Sequence, residues 1–247
     1  MKGIVFLGGV IFLDGILAAV LFLFLVFIGI GLAFPKRETA SHKEEQKAGG
    51  NVLLLALRQR AVWLAALFLL FYVGTEVSLG SWSFSFLTQE RRGQILFSGW
   101  IVSGYWVGLT LGRLLLGKVA QRIGNRRLIE ACLSGVVVGM LLLWVVPQLA
   151  AAAFALFLTG FSLGPIFPTT IALMSDTLPG RILSSAIGFL ASLGSMGGAL
   201  LPWIAGNLAQ HFGMWTLLPY VIALTALMLV LWVIIQTRPA GPVEIPL

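Results

Sequence analysis

The chain has 247 residues, of which 59% are hydrophobic and 10% charged, with a mean hydropathy of +1.00, a balance that excludes a soluble domain of this length. Its net charge of +7 comes from cations grouped between apolar runs, so it reads as a topology signal and excludes a nucleic-acid partner. Cys132 is the only cysteine, His42 and His211 read as loop residues without ligand-spaced partners, and no phosphate loop or nucleophile motif occurs, so no enzyme, metal or cofactor is expected.

Apolar stretches near the ~20 residues that cross a bilayer recur at 12–34, 62–86, 96–116, 128–146, 150–174, 184–208 and 215–235, which predicts seven spans in an all-α integral membrane protein. The first run is too long for a cleaved signal and ends in Pro35-Lys36-Arg37 rather than in small residues. Its one acid, Asp14, sits near the mouth of the span, where water solvates it. Segment 35–60 is the one substantial polar break, a linker with Gly49-Gly50 and a short amphipathic turn at 52–57. The expected organisation is a lone helix over 1–34, a linker over 35–60, a six-helix block over 61–238 and a tail over 239–247.

The second span carries the most telling residue. Glu76 lies in LFLLFYVGTEVSLGSWSFS with no cation nearby in sequence. A charge at mid-bilayer costs at least ~2.5–3.5 kcal/mol, so such groups face a cavity or a partner. Gly74 and Gly80, with Thr75, Ser78 and Ser81, give a loosened, cavity-lining composition. Two readings stay open: a substrate- or proton-binding carboxylate, and a protonated side chain hydrogen-bonded to a neighbouring helix. Tyr72, Glu76 and Gly80 share one stripe at i, i+4 spacing, with Ser83 close to it. Trp82, Tyr105 and Trp106 offer aromatic faces to a sugar, although packing or interfacial anchoring explains them more simply.

The third span runs into a cation-rich loop, and an internal repeat begins here. An offset of about 89 residues pairs Gly99 with Gly188, Gly108 with Gly197, Gly117 with Gly206, Gln121 with Gln210 and Gly124 with Gly213. The shared ending reads GKVAQRIGNRR in the first copy and GNLAQHFGMWT in the second, which lacks Arg122, Arg126 and Arg127. A three-span repeat puts these endings on opposite faces, and the positive-inside bias accounts for the missing cations. In the fifth span Pro165 and Pro168 remove backbone donors, which predicts a break or kink at mid-depth. The spans of Glu76 and of these prolines each begin a repeat, so they should face each other across a central site. The glycines at 188, 194, 197 and 198 read as close-approach positions.

These features resemble the major facilitator superfamily, whose six-helix halves are built from two inverted three-helix repeats. Gly112-Arg113 followed by Gly117-Lys118-Val119-Ala120-Gln121-Arg122-Ile123-Gly124-Asn125-Arg126-Arg127 resembles the superfamily's cytoplasmic loop motif, with Gln121 where that motif has an acid. The resemblance assigns Gly112, Arg113, Gly117, Gln121, Arg122, Gly124, Arg126 and Arg127 to a gating loop. Residues 72–82, YVGTEVSLGSW, and 164–169, GPIFPT, resemble the helix-seven and helix-ten patterns of the fucose-permease-like sugar:proton symporter branch. That likeness places Tyr72, Glu76, Gly80, Trp82, Tyr105, Pro165, Phe167, Pro168 and Thr169 around substrate and proton.

The resemblance implies a C-terminal portion of a twelve-helix transporter in a cell or plasma membrane. Its partners would be the lipid bilayer, a small solute, protons and a missing N-terminal half. Two other readings compete: an efflux permease, and a transport-inactive half acting as a membrane scaffold. Lysine and arginine asymmetry puts the C-terminus and 35–60 in the cytoplasm and the N-terminus outside. Cysteines introduced at Lys43 and His211 are expected to label from opposite sides of the membrane; labelling from one side overturns this topology.

Overall fold

The computed structural model describes residues 52–237. The lone helix, most of the linker, Asp14, His42 and the tail lie outside the described residues. Residues 52–57 are helical, as the amphipathic turn predicted. Beyond them the chain forms α1 (Arg60–Gln89), α2 (Ile95–Ile123), α3 (Asn125–Val145), α4 (Leu149–Leu163), α5 (Ile166–Thr177), α6 (Gly180–Phe212) and α7 (Leu217–Thr237), with a 3-10 turn at Met214–Thr216 before α7. With α4 and α5 taken as one interrupted span, six helices are long and apolar enough to cross a membrane. No strand occurs among the described residues. The protein is an all-α integral membrane protein built as two three-helix repeats.

The loop expected after the third span does not exist as a loop. Helix α2 runs unbroken to Ile123, so Gly117, Gln121 and Arg122 ride on its last two turns and Arg113 lies well inside it. The link to α3 shrinks to Gly124, at φ 89° and ψ 152°, a region open essentially to glycine alone. The second repeat ends the same way: α6 runs through His211, which is helical rather than in a loop, to Gly213 at φ 99° and ψ 162°. Polar side chains at a helix end do not unwind it, because the backbone bonds continue into the interfacial water.

The prolines act differently from each other. The fifth span breaks at Gly164-Pro165. Pro168 falls in the first turn of α5, where its missing N–H costs no bond inside that helix and leaves only the Gly164 carbonyl, at the break, without its partner.

The two repeats interlock. Helix α1 packs mainly on α6 and α7, and α4 mainly on α2 and α3, so the first helix of each repeat packs against the later helices of the other. Small residues permit the closest contacts. A Cβ on Gly108 would lie 2.5 Å from the Phe157 carbonyl oxygen, and one on Gly197 would lie 2.1 Å from that of Leu70. Gly194 and Gly198 also face α1, whereas Gly188 meets open space, so it is not a packing position among the described residues. The repeat extends to finer detail: Ser103 donates to the Gly99 carbonyl at 3.0 Å, and its counterpart Ser192 donates to that of Gly188 at 2.8 Å.

Helix α1 is not the loosened element its glycines implied. It is continuous over 30 residues, and Gly74 and Gly80 are contact points for Leu201 and Trp106. Deleting a side chain at these positions lets a neighbour approach without disturbing the backbone bonds of the helix itself. Trp63, Trp100, Trp144 and Trp215 are all exposed near helix ends, where membrane proteins carry their interfacial aromatics.

Gly108→Ala and Gly197→Ala each force a methyl group into a backbone carbonyl and are expected to destabilise the bundle by about 1–3 kcal/mol. Gly188→Ala, where nothing lies within 4 Å, is expected to be neutral. Thermal unfolding of the three variants in detergent distinguishes the two classes.

Candidate functional site

A carboxylate in a packed bundle needs partners, and Glu76 has them on two helices, one of which links it to a third element. From its own helix, one turn earlier, the Tyr72 hydroxyl donates to Glu76 Oε2. From α2, Arg113 Nη2 bonds both carboxylate oxygens, at 3.0 and 3.3 Å. The same guanidinium reaches the third element: Arg113 Nε donates at 3.2 Å to the carbonyl of Gly164, the residue at the α4–α5 break. Tyr105, also from α2, is fully buried and donates at 2.9 Å to the Glu76 backbone carbonyl. Arg113–Glu76 is the only ion pair among the described residues.

The break in the fifth span makes this geometry available. An ordinary helix would bond the Gly164 carbonyl internally, but Pro168, four residues on, offers no N–H. The carbonyl therefore has a lone pair for a guanidinium. Gly164 also lets α2 pass close by, since a Cβ there would sit 2.3 Å from the Leu109 oxygen and 2.9 Å from the Arg113 nitrogen.

Arg113 links the pair to solvent-accessible space. Its side chain is 47% exposed while that of Glu76 is 11% exposed. It stands at one wall of a cavity of about 740 Å³ at the Gly124 end, which Pro165, Pro168, Thr169, Arg126 and Arg127 also line. At the rim Asn125 Nδ2 donates to Asp176 Oδ2 at 3.1 Å, joining the start of α3 to the end of α5.

The structure thus brings together Glu76, Tyr72, Tyr105, Pro165, Phe167, Pro168 and Thr169 of the expected substrate and proton set. Phe167 faces Tyr72, with ring centroids 6.4 Å apart. Gly80 lies one turn along from Glu76, under Trp106. Trp82 belongs elsewhere: its Nε1 donates at 2.9 Å to the Pro202 carbonyl, and its ring rests on Gly206. Of the expected gating residues, Gly117, Gln121, Gly124, Arg126 and Arg127 line the large cavity, Gly112 is buried against Phe161, and Arg122 lies exposed at the end of α2.

The contact that sequence reasoning missed is Arg113 on Glu76. Arg113 was grouped with the loop cations, although it falls within the span predicted at 96–116. A second charge of opposite sign inside a predicted span was the available signal, since two intramembrane charges at comparable depth stabilise each other.

The family model described as Major Facilitator Superfamily matches residues 83–247. The chain is 30% identical over 226 residues to bypass of stop codon protein 6 of Saccharomyces cerevisiae, covering 77% of this chain and 46% of that protein. It is 26% identical over 192 residues to the glucose/mannose transporter GlcP of Bacillus subtilis, covering 75% and 47%. A putative glucose/galactose transporter of Helicobacter pylori is 34% identical over 145 residues, covering 57% and 34%. The chain spans about half the length, or less, of these curated relatives.

Removing Arg113 alone strands the carboxylate. For a fully buried pair that loss is about 3–5 kcal/mol, and about half of it is expected here because Arg113 is half exposed. Arg113→Leu should therefore lower the unfolding midpoint in detergent, and Glu76→Gln added to it should recover most of the loss. A double variant as unstable as Arg113→Leu would mean that Arg113 acts through its contact with Gly164 instead.

Proposed function

The chain belongs to the major facilitator superfamily, and from that premise we propose that its six helices form one half of a secondary transporter for a sugar or similar small polar solute, with Glu76 as the proton-coupling carboxylate. The observation that carries this reading is the single guanidinium that holds both the Glu76 carboxylate and the broken span, and also reaches a cavity. Relatives named for glucose, mannose and galactose transport support the solute class. Transport, rather than a chemical reaction, is the activity.

The coupling follows from the strength of the bonds. When Glu76 is ionised, Arg113 binds it through charge-assisted hydrogen bonds, roughly twice as strong as neutral ones. Arg113 then ties α1 and α2 to the α4–α5 break. A proton arriving on Glu76 weakens that tie, and Arg113 is left with the Gly164 carbonyl and the cavity. Solute hydroxyls can then take the freed donors. Binding of solute and binding of a proton both act on one guanidinium, so each alters the packing that the other meets. The pathway is completed by a second six-helix half facing this one.

Orientation follows from charge. Lys118, Arg122, Arg126, Arg127 and Arg181 cluster at the Gly124 end of the bundle, against Arg91 and Arg92 at the Gly213 end. We place the Gly124 end in the cytoplasm on that basis. The large cavity then opens inward.

A second reading is favoured by one specific observation. Glu76 is already fully engaged by Tyr72 and Arg113, the bonding expected of a structural ion pair whose arginine alone meets solute. Glu76→Gln separates the two in proteoliposomes carrying the assembled transporter. Loss of pH-driven sugar accumulation with exchange retained is expected for the coupling role. Loss of affinity by about tenfold or more, with accumulation still driven by pH, would assign Glu76 to solute binding. Unchanged uptake, affinity and pH profile would leave it a structural partner and overturn the proposal.

A further inference from the structure

The repeat that builds the large cavity builds a second cleft at the opposite end of the bundle, with different chemistry. Gly117, Ala120 and Gln121 line the first, and their counterparts Gly206, Ala209 and Gln210 line the second. The cavity at the Gly124 end carries Arg113, Arg126, Arg127 and Asp176. The cleft at the Gly213 end has a volume of about 500 Å³ and no charged side chain in its lining. Its walls hold two indoles, Trp82 and Trp203, and three carboxamides, Gln89, Asn207 and Gln210.

Each component is arranged in a particular way. Trp82 is held by its bond to the Pro202 carbonyl and lies on Gly206, where a Cβ would come within 2.4 Å of the ring. Its ring is therefore a fixed platform, and glycine at 206 is what admits it. Trp203 is 64% exposed. Asn207 Nδ2 donates at 2.8 Å to the Trp203 backbone carbonyl, which orients the amide and leaves its oxygen unoccupied. The side-chain amides of Gln89 and Gln210 make no hydrogen bond among the described residues, so their donors and acceptors stand free.

We propose that this cleft is a second solute site, distinct from the Glu76 centre, that takes a neutral monosaccharide through indole faces and carboxamide hydrogen bonds. A sugar hydroxyl both donates and accepts, and so does a carboxamide. The apolar C–H face of a pyranose suits an indole surface. The volume falls within the range of small-molecule sites, ~300–1,000 Å³. A charged solute would find no counter-ion there, and a lipid tail would leave three amides unsatisfied. The inference rests on the reading of the solute as a sugar. With the Gly213 end outside, the cleft is the first site an incoming sugar meets.

The test is ¹⁹F NMR of the full chain in lipid nanodiscs, labelled with 5-fluorotryptophan and titrated with D-glucose. Trp→Phe variants at 82, 106 and 203 assign the resonances. Trp106, which packs over Gly80 beside Tyr105, reports the Glu76 centre. D-glucose is expected to shift the Trp82 and Trp203 resonances in the wild type and in Glu76→Gln alike. Gln89→Leu with Gln210→Leu should weaken that response about fivefold or more, as loss of neutral hydrogen bonds implies. Shifts at Trp106 but at neither Trp82 nor Trp203 would defeat the second site while leaving the sugar reading intact. No shift at any of the three would defeat both. A Trp82 and Trp203 response unchanged in the double glutamine variant would also overturn the proposal.

Discussion

Placing a carboxylate at the middle of an apolar helix imposes a constraint that much of this bundle satisfies. Glu76 can remain there because a guanidinium from α2 and a phenol from its own helix meet it. Arg113 in turn needs more than one acceptor, and the Gly164 carbonyl supplies the second. That carbonyl has a free lone pair because Pro168 withholds the N–H that would otherwise use it. Four facts that look separate in the sequence are therefore one chemical arrangement: an acid, a tyrosine one turn before it, an arginine 37 residues on and a Gly-Pro break.

Geometry permits that arrangement only because the helices approach so closely. Gly108, Gly112 and Gly164 let the backbones of α2 and α4 pass within contact of each other. Gly197 does the same between α6 and α1, and Gly74 admits the Leu201 side chain there. Close backbone approach substitutes for the hydrophobic driving force that lipid cannot provide between helices. It also makes helix position sensitive to what lies between helices, and the Glu76–Arg113 pair lies there.

The duplicated architecture yields two clefts with a common backbone plan and opposite side-chain character. At one end arginines surround the opening; at the other, indoles and amides do. A positive-inside bias would account for the difference in charge, but it would not require tryptophan and carboxamides at the uncharged end. Gly124 and Gly213, in the same unusual backbone conformation, mark where the two plans coincide.

By itself the sequence determined the class, the six spans among the described residues and the need of the Glu76 carboxylate for partners. These are properties of a single segment against a uniform solvent: a helix of about 20 apolar residues is readable wherever it packs, and a lone acid within it is costly wherever it points. The 89-residue repeat was legible in part for a related reason, since its paired glycines Gly108 and Gly197 each admit the backbone of a neighbouring helix. Tertiary structure alone decided which groups meet. The place of Arg113 inside a predicted span marks it as unusual, but no local pattern names Glu76 as its partner, and none tells that Trp82, on another face of the same helix, bonds Pro202. The helical character of GKVAQRI was hidden as well, because polarity reports solvent exposure and not backbone conformation. Pairing across helices depends on rotation and crossing, and those are settled by the packing of whole faces rather than by any segment alone.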